Sequence, residues 1–390
     1  MISFQEAFHI VTDIPVHTNT ERIAFTDAVN RVLAEDIISD MAMPPFNKSA
    51  MDGFACRKED IHSSLKEIEI IAAGKVPQLS IEKGQCSRIM TGAMIPQGAN
   101  CVIKVEDTER VDDIVTFTGQ KTSANICYLG EDIYEGDIVI TKNTRLKPPH
   151  IAVLASVGAI NPLVFTQATV AVISTGDELV EPSEVPELGK IRNSNASQLI
   201  TQVKNAGAVP EYFGIALDTP ESTREKISSA MKQCDIVILT GGVSMGDFDY
   251  VPQILLEKEV DIRFKSIAVQ PGRPTVFGVT NSCFFFGLPG NPVSSFVQFE
   301  LLVRPLIAKI EGSTYKPNIL SAPMASEYVR KNDKRKGFIP VYFNDEGEVV
   351  PVDYHGSAHI HSYVYATGMI SVEIGNKILK KGELVDVRQL

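Results

Sequence analysis

The six cysteines of the 390-residue sequence are scattered without a single Cys-x-x-Cys pair. This spacing argues against a zinc ribbon and a disulfide framework, and it is typical of reduced thiols in a cytoplasm. Long apolar runs are also missing. The most apolar stretch, residues 151–164, is broken by polar and turn residues and is shorter than the ~20 residues that span a bilayer. The first eleven residues lack the basic and apolar regions of a signal peptide. We therefore expect a soluble, cytoplasmic protein.

Positive charge is scarce as well, since 37 Lys and Arg face 48 Asp and Glu and give a net charge of -11. Proteins that coat phosphate backbones carry the opposite sign, which argues against nucleic acid as a partner. Neither the phosphate-binding pattern GxxxxGK[ST] nor GxGxxG occurs, so an ordinary NTPase and a Rossmann dehydrogenase are not supported. A hydrophobic content of 44% over this length predicts two or three folded domains.

The first 41 residues have a helical pattern. Ser3 followed by Glu6 is typical of a capping box, and a second short helix is predicted over Asp27–Leu33. From Met41 to about Leu146 short apolar runs are cut by Gly and Pro, which predicts a β-rich domain. Helical character returns at Pro148–Asn161, which indicates that the β-rich domain is inserted into a discontinuous helical one.

Strands and helices alternate between Ala168 and Ile310, which predicts a largely parallel sheet with helices on both faces. A helix is predicted over Ser194–Ala206, closed by Gly207, and further helices open at Thr219-Pro220 and Asn291-Pro292. The C-terminal segment is again strand and turn and predicts a small β-barrel or sandwich. The predicted domains are residues 1–41 with 145–167, 42–144, 168–312 and 316–390.

Three loops at predicted strand ends have unusual sequences, and they span Ser174–Leu179, Thr240–Tyr250 and Gly287–Ser294. In an open α/β sheet, ligands bind beyond the carboxyl ends of the strands, and glycine followed by a helix N-terminus favours an anion there. Any one of these loops could merely turn the chain. Three of them at one sheet edge favour a binding site.

Acidic residues crowd the same predicted edge. A pocket that offers both N–H groups to an anion and several carboxylates requires a bridging cation, and Mg²⁺ is the usual one. The alternative is that some of these acids only cap helices. The residues are Asp177, Glu178, Asp218, Asp247 and Asp249.

Tight turns are predicted in the β-rich region at Asp52-Gly53, Thr91-Gly92 and Asp132. As plain hairpin turns, these residues need no function beyond turning the chain. Near the C-terminus, His359 and His361 would point to the same side of a strand, so a metal pair is conceivable. No Cys or acid stands at the distance that would complete such a site.

Eight strings occur in one order over essentially the whole chain: PPFNKSAMDGFA, RIMTGA, GEDI, STGDEL, NSN, TGGVSMGDFDY, PGRP and GLPGNPVS. Together they resemble the molybdopterin molybdenumtransferase family, which includes the E domain of gephyrin. The resemblance implies a three-layer αβα molybdopterin-binding domain with a mostly parallel sheet, a β-rich inserted domain, a discontinuous helical linker domain and a small C-terminal β-barrel.

The resemblance also implies a reaction in which adenylylated molybdopterin and molybdate give molybdenum cofactor and AMP, with Mg²⁺. It implies a homodimer whose cleft takes residues from both chains, and a molybdopterin adenylyltransferase and molybdoenzyme apoproteins as partners. The implied catalytic residues are Asp52, Thr91 and Asp132 of one subunit with Glu178, Asp218 and Asp249 of the other. The last three are also the implied metal ligands.

The implied ligand-binding residues lie mostly in the three loops, and Asn291 is expected to cap the helix that faces the pterin phosphate. These residues are Thr175, Gly176, Gly241, Gly242, Ser244, Arg273, Pro289, Gly290, Asn291, Pro292, Ser294 and Ser357.

The chain departs from the family pattern around the expected oxyanion site. Gln270 and Cys127 stand where basic residues are usual, and Lys331 or Lys336 falls where an arginine is usual, although Arg273 keeps a second basic position. Lysine cannot grip an oxyanion bidentately as arginine does. The alternatives to the transferase are a molybdopterin adenylyltransferase and a non-catalytic molybdopterin-binding or scaffold dimer.

Overall fold

The computed structural model describes residues 1–242 and 251–390. The contacts divide the chain into two compact units, and each is described by itself. Unit 1 comprises Met1–Glu21, Asn30–Ala34 and Val164–Leu390, and unit 2 comprises Arg22–Val29 and Glu35–Leu163. The four finer domain boundaries remain predictions. Across the described ranges, no helix is both long and apolar enough to cross a bilayer.

Most helices begin and end where the sequence signals predict. Ser3 accepts a hydrogen bond from the Glu6 N–H at the start of the first helix, and Gly207, at φ +100°, ends the third as predicted. The helix predicted over Asp27–Leu33 is wrong, because a single 3₁₀ turn is followed by Asn30 in the left-handed region at φ +67°. The α-helices of the described residues are Phe4–Asp13 (α1), Pro148–Ser156 (α2), Ser194–Ala206 (α3), Pro220–Gln233 (α4), Val251–Glu257 (α5), Pro292–Gln298 (α6) and Arg304–Ile310 (α7).

Unit 2 is built on a six-stranded sheet. The strands between residues 20 and 165 are Thr20–Arg22 (β1), Ile37–Ile38 (β2), Lys48–Ser49 (β3), Gly53–Cys56 (β4), Leu65–Ile71 (β5), Gln85–Ile89 (β6), Cys101–Lys104 (β7), Thr108–Val111 (β8), Ile114–Phe117 (β9), Ile126–Cys127 (β10), Ile138–Ile140 (β11) and Leu163–Phe165 (β12). The sheet order is β7-β4-β6-β5-β9-β8, and its core contains Phe54, Leu65 and Ile103. This is the predicted β-rich domain.

The α/β part of unit 1 has the predicted three layers. Its strands are Thr169–Thr175 (β13), Leu179–Val180 (β14), Ile191–Arg192 (β15), Val209–Ala216 (β16), Ile236–Thr240 (β17), Asp261–Phe264 (β18), Val269–Gln270 (β19), Val276–Val279 (β20) and Phe284–Leu288 (β21). In the order β16-β13-β17-β21-β20-β18 the first four strands are parallel, β20 runs antiparallel to β21, and β18 runs antiparallel to β20. The mostly parallel sheet is therefore confirmed.

Alternate residues of β13 supply the cores on the two sheet faces, as strand geometry requires. Val172 packs in the cluster that contains Leu199 of α3, whereas Ile173 packs with Ile227 of α4 and Ile254 of α5. All five side chains are at most 1% exposed. Burial on both faces explains why the strand is almost continuously apolar.

The C-terminal part of unit 1 is a small β domain. Its strands are Ile319–Pro323 (β22), Tyr328–Val329 (β23), Lys336–Phe343 (β24), Val349–Pro351 (β25), Gly368–Val372 (β26), Ile378–Leu379 (β27) and Leu384–Gln389 (β28). One sheet runs β19-β24-β26-β28-β22, with β25 also paired to β24. Since β19 belongs to the preceding α/β part, its pairing with β24 joins the two parts through backbone hydrogen bonds.

Candidate functional site

A cavity of about 600 Å³ opens at the carboxyl edge of the parallel strands in unit 1. Its wall takes residues from the loops after β13, β16, β17 and β21 and from the first residues of α3 and α6. This is the edge at which open α/β sheets bind ligands. The lining residues are Thr175, Gly176, Glu178, Leu179, Ile191, Arg192, Asn193, Ser194, Asn195, Asp218, Thr240, Gly241, Gly242, Gly290, Asn291, Pro292 and Ala358.

Two glycines are required where the loops meet. Gly241 has φ +87°, and a Cβ atom there would lie 2.6 Å from Thr175 Oγ1 and 2.8 Å from the Thr175 carbonyl oxygen. Gly176 has φ +140°, and its Cβ would lie 2.4 Å from Glu178 Oε2. L-residues rarely adopt these φ values, and at Gly241 the Thr175 backbone also leaves no room for a side chain. The glycines therefore let bare backbone form the cavity wall.

The start of α3 faces the cavity and is tied to the start of α6. Asn193 caps α3 by accepting a hydrogen bond from the Ala196 N–H at 3.2 Å, and Asn195 Nδ2 donates to the Gly290 carbonyl at 2.7 Å. Asn291 occupies the N-cap position of α6, but its side chain makes no capping hydrogen bond within the described structure. Exposed N–H groups and the helix dipole make such ends favourable for a phosphate or another anion.

Two carboxylates, Glu178 and Asp218, line the same cavity. Asp218 Oδ2 accepts a hydrogen bond from the Asp177 N–H at 3.3 Å, and Asp177 Oδ1 accepts one from the Asp218 N–H at 3.0 Å. Lys190 Nζ also donates to the Asp177 carbonyl oxygen. This reciprocal clasp fixes the loops after β13 and β16 against each other and orients the Asp218 carboxylate.

The predicted magnesium ligands are brought together only in part. Glu178 and Asp218 share the cavity, but Asp249 lies outside the described residues, as does the predicted ligand residue Ser244. Within residues 1–242 and 251–390, no three His, Cys, Asp or Glu side chains are arranged to hold a metal ion. Carboxylate oxygens are nonetheless the hard ligands that Mg²⁺ prefers, so the two acids fit this cation.

Most of the predicted ligand residues are in the cavity wall, and four are not. Ser294 is buried inside α6 at 3% exposure, Pro289 is buried, and Arg273 is exposed between β19 and β20. Ser357 lies beside the wall, where its carbonyl oxygen accepts a hydrogen bond from the Val293 N–H at 3.1 Å. The residues found in the wall are Thr175, Gly176, Gly241, Gly242, Gly290, Asn291 and Pro292.

Sequence reasoning missed the contribution of the α3 N-terminus. Arg192, Asn193, Ser194 and Asn195 all line the cavity. A signal was available, since the NSN string stands directly before a predicted helix. The family resemblance alone does not identify this string as a ligand-binding segment.

A second cavity, of about 780 Å³, lies between the loop after β19 and the C-terminal β domain. Gln270 and Lys331 line it, and Gln270 Oε1 is buried without a hydrogen-bond partner in the described structure. Lys336 is not in this wall, because its Nζ is paired with Glu373 and lies 5.6 Å from the Phe4 ring centroid. Of the two lysines in question, only Lys331 is available to a ligand here.

Arg330 holds the β domain together, whereas Arg335 and Arg273 contribute positive charge near the second cavity. Arg330 is 5% exposed and donates to the carbonyl oxygens of Val372 at 3.1 Å and Arg335 at 2.6 Å, so it holds the β domain together. Burial lowers the pKa of Arg335, and the positive charge of Arg273 lowers it further. Arg335 and Arg273 therefore form a local positive charge in an otherwise acidic protein.

In unit 2, Asp52 and Thr91 are brought together as predicted. Asp52 Oδ1 accepts hydrogen bonds from the Thr91 N–H at 2.6 Å and from Thr91 Oγ1 at 2.9 Å. The hydrogen bond from the Thr91 N–H lowers the pKa of Asp52 most. The bond from Thr91 Oγ1 and then the positive charge of Arg88 lower it further. The adjacent Gly53 is needed because a Cβ atom there would lie 2.0 Å from the Ile103 carbonyl oxygen. The side chain of Asp52 is thus an exposed carboxylate held in one orientation.

Asp132 lies in a separate turn of unit 2, where its N–H donates to the Met43 carbonyl at 3.0 Å. All of unit 2 is described, and within it Asp132 makes no hydrogen bond to Asp52 or Thr91. Cys127 precedes this turn, and burial, followed by a hydrogen bond to Glu131, raises the pKa of its thiol. The thiol is therefore neutral and cannot replace a cation.

The chain is similar to one family over nearly its whole length. It matches the MoeA N-terminal region (domain I and II) at residues 2–158, a probable molybdopterin binding domain at 171–309 and the MoeA C-terminal region (domain IV) at 323–390. It is 36% identical to a molybdopterin molybdenumtransferase of Staphylococcus epidermidis, over 99% of this chain and 95% of that protein. With the Bacillus subtilis molybdopterin molybdenumtransferase the identity is 35%, over 99% of this chain and 93% of that one.

Solved structures agree with this similarity. The crystal structure of the molybdopterin biosynthesis moeA protein from Pyrococcus horikoshii OT3 superposes with a TM-score of 0.87 at 30% identity, and each chain is covered completely. A crystal structure of a molybdopterin biosynthesis moea protein from Pyrococcus horikoshii gives a TM-score of 0.82 at 31% identity, over 100% of this chain and 99% of that one.

Proposed function

The chain belongs to the molybdopterin molybdenumtransferase family, and on that premise we propose how it carries out its part in molybdenum cofactor biosynthesis, the insertion of molybdenum into molybdopterin. The proposed substrates are adenylylated molybdopterin and molybdate, and the products are molybdenum cofactor and AMP. The cavity of about 600 Å³ carries the proposal, because it combines helix-terminal N–H groups with two carboxylates.

The cavity is proposed to hold the phosphate groups of the nucleotide. The bare backbone at Gly176, Gly241 and Gly242 and the first turn of α3 offer N–H groups without side-chain hindrance. An anion with neighbouring carboxylates is repelled unless a cation lies between them. Glu178 and Asp218 would therefore hold Mg²⁺, with Asp249 as the expected third ligand. A bound Mg²⁺ would neutralise charge on phosphate oxygens.

The chain's own residues then serve to orient the nucleotide. The clasp between Asp177 and Asp218 keeps the two acidic loops in one arrangement before the ligand arrives. Molybdate is proposed to enter on the side of the second cavity, where Lys331 is available and Arg273 and Arg335 are close to each other. One strong anion-binding side chain fewer is present in this cavity than the family pattern leads one to expect, since Gln270 stands in place of a cation.

The proposed active form is a homodimer in which Asp52, Thr91 and Asp132 act on the nucleotide bound by a second copy. An exposed apolar surface in unit 2 supports association, because Ile38 and Ile138 are cross-strand neighbours that are 56% and 55% exposed. Large apolar patches mark protein contacts, and this pair is proposed as part of one. A molybdopterin adenylyltransferase and molybdoenzyme apoproteins are the proposed further partners.

A cytoplasmic location is proposed for the reaction. All six cysteines are free thiols, and five of them are buried. Burial raises the pKa of Cys283 to about 12, so this thiol is not a reactive nucleophile. Unpaired thiols of this kind suit a reducing compartment.

The two alternatives are less well supported. A molybdopterin adenylyltransferase would need only the α/β part, whereas the family matches extend over residues 2–158 and 323–390. A non-catalytic scaffold would have no use for two carboxylates that line a cavity of about 600 Å³.

The test is AMP release from adenylylated molybdopterin by the purified protein, with Mg²⁺ and with or without molybdate. We expect release that depends on both ions. Tight binding of the nucleotide without molybdate-dependent release would contradict the transferase and support a binding protein. ATP consumption without molybdate would support the adenylyltransferase.

A further inference from the structure

A continuous hydrogen-bonded chain runs from the sheet end beneath the cavity to the protein surface. Ser174 Oγ donates to Asn193 Oδ1 at 3.0 Å, and Asn193 Nδ2 donates to Tyr212 Oη at 3.0 Å. Tyr212 Oη donates in turn to Glu181 Oε1 at 2.8 Å. Of these four residues, only Asn193 lines the cavity, and it is 1% exposed.

These hydrogen bonds fix the orientation of the Asn193 amide. A phenol has one proton to donate, and Tyr212 gives it to the Glu181 carboxylate, so Tyr212 Oη can only accept from Asn193. The amide nitrogen therefore points to Tyr212, and its oxygen points to Ser174 and to the Ala196 N–H that it caps. Without this anchor, a buried amide can turn over and lose the cap.

The protonation state of the phenol is secure. Burial raises the pKa of Tyr212, and the hydrogen bond to Glu181 raises it further. The phenol therefore keeps its proton near neutral pH. The donor and the acceptor of each of these hydrogen bonds stay the same there.

We propose that Tyr212 is a positioning residue for the nucleotide site: acting through Asn193, it holds the first turn of α3 so that its N–H groups face the cavity. The inference rests on the proposed function and assigns one residue to it. The phenol does not touch the ligand. It sets the cap residue, and the cap residue sets Ser194 and Asn195, which line the wall.

The decisive variant is Tyr212→Phe, which keeps the ring and removes the hydroxyl. We expect the KM for adenylylated molybdopterin to rise about fivefold to tenfold, the size of one lost hydrogen bond, while kcat stays within about twofold. Tyr342→Phe is the matched control, since Tyr342 is 37% exposed, against 40% for Tyr212, and its hydroxyl has no hydrogen-bond partner among the described residues. It should leave both constants unchanged.

A second pair of variants separates positioning from general stability. Glu181→Gln keeps an acceptor for the phenol and should retain the wild-type KM, whereas Glu181→Ala should behave like Tyr212→Phe. Equal effects of the two Glu181 variants would overturn the proposed chain.

Hydrogen exchange of the Ala196 amide in the ligand-free protein tests the same inference without any substrate. Loss of the Tyr212 hydroxyl should speed its exchange, because the amide is held by Asn193. Unchanged exchange and an unchanged KM in an active enzyme would overturn the inference. A wild-type protein without any turnover would overturn the proposed function instead, and the exchange rate would then decide alone whether Tyr212 holds the helix.

Discussion

Unit 1 and unit 2 both carry the Gly-rich acidic turns expected of a catalytic site, but they build them differently. In unit 1 the loops that follow four parallel strands lie at one edge of the sheet and enclose a cavity of about 600 Å³. In unit 2 Asp52 lies on an exposed turn, held by Thr91 alone among the hydrogen-bond donors of that fully described unit. Parallel strands gather their loops at one edge, whereas a sheet of mostly antiparallel pairs distributes them.

The difference indicates a division of labour. The enclosed cavity, with its backbone N–H groups and helix ends, can supply binding energy for a nucleotide. The exposed carboxylate of Asp52, whose pKa is lowered by its two bonds from Thr91, supplies a fixed negative charge but little enclosure. We therefore expect variants of the unit 1 cavity backbone to lose binding, and variants that remove a carboxylate from either unit to lose turnover.

The largest effect is expected from Gly241→Ala. The new Cβ would meet Thr175 at 2.6 to 2.8 Å, at a φ of +87° that alanine rarely adopts. Displacement of the loop by even ~1 Å should lower kcat/KM about a hundredfold. Gly347→Ala is the control, because Gly347 also has positive φ, +76°, but has no atoms within 4 Å of its Cβ position. Steady-state kinetics of the two variants would show whether steric contact or backbone strain lowers kcat/KM. Equal losses of kcat/KM in both variants would contradict the steric account.

The next effect is expected from Asp218→Asn. It removes the negative charge while an amide oxygen remains to accept from the Asp177 N–H, so the fold should be retained. We expect kcat to fall about thirtyfold and the Mg²⁺ concentration for half-maximal activity to rise. Glu221→Gln, in the first turn of α4 and outside the cavity wall, is the matched control. Wild-type Mg²⁺ dependence in Asp218→Asn would contradict the assignment.

Mixed dimers sharpen the comparison between the units. If Asp52 of one subunit serves the cavity of the other, Asp52→Asn and Asp218→Asn should each be inactive alone. Random mixing should restore roughly a quarter of the wild-type rate, because half of the dimers are mixed and each has one intact site. AMP release after refolding the variants together measures this. No recovery would show that each subunit uses its own Asp52.

The smallest effect is expected from Thr91→Val, which removes the hydroxyl donor to Asp52 but keeps the Thr91 N–H donor. Because the bonds lower the pKa of Asp52, its stabilisation is present above the unfolded-state pKa and is lost as the pH falls through the folded-state value. Thr91→Val should therefore raise this pKa, and the acid limb of kcat/KM should move to higher pH. Carboxyl NMR titration checks the first shift, and Thr91→Ser should restore it.

Much of the fold was predictable because local signals agreed with the global pattern. The α3 helix has its predicted bounds, with Gly207 in the left-handed region at its end. The helix predicted over Asp27–Leu33 was wrong, since periodicity there did not reveal that Asn30 adopts φ +67°. Local pattern therefore predicted α3 correctly and failed over Asp27–Leu33, where one residue leaves the helical region.

The site was predictable in its loops but not in its network. The loop glycines and Asp218 were expected at the sheet edge, and they line the cavity. The chain from Ser174 through Asn193 to Tyr212 joins residues up to 38 positions apart, and nothing in their spacing indicates a hydrogen bond. Contacts of this kind depend on how the strands and helices pack.

The most direct test of the division between the units is the affinity for adenylylated molybdopterin, measured calorimetrically without molybdate so that no turnover occurs. Wild-type protein and Asp52→Asn should bind with the same Kd, within about twofold, while Gly241→Ala should bind at least about tenfold more weakly. The opposite result, with affinity lost in Asp52→Asn and kept in Gly241→Ala, would contradict the assignment of nucleotide binding to the unit 1 cavity.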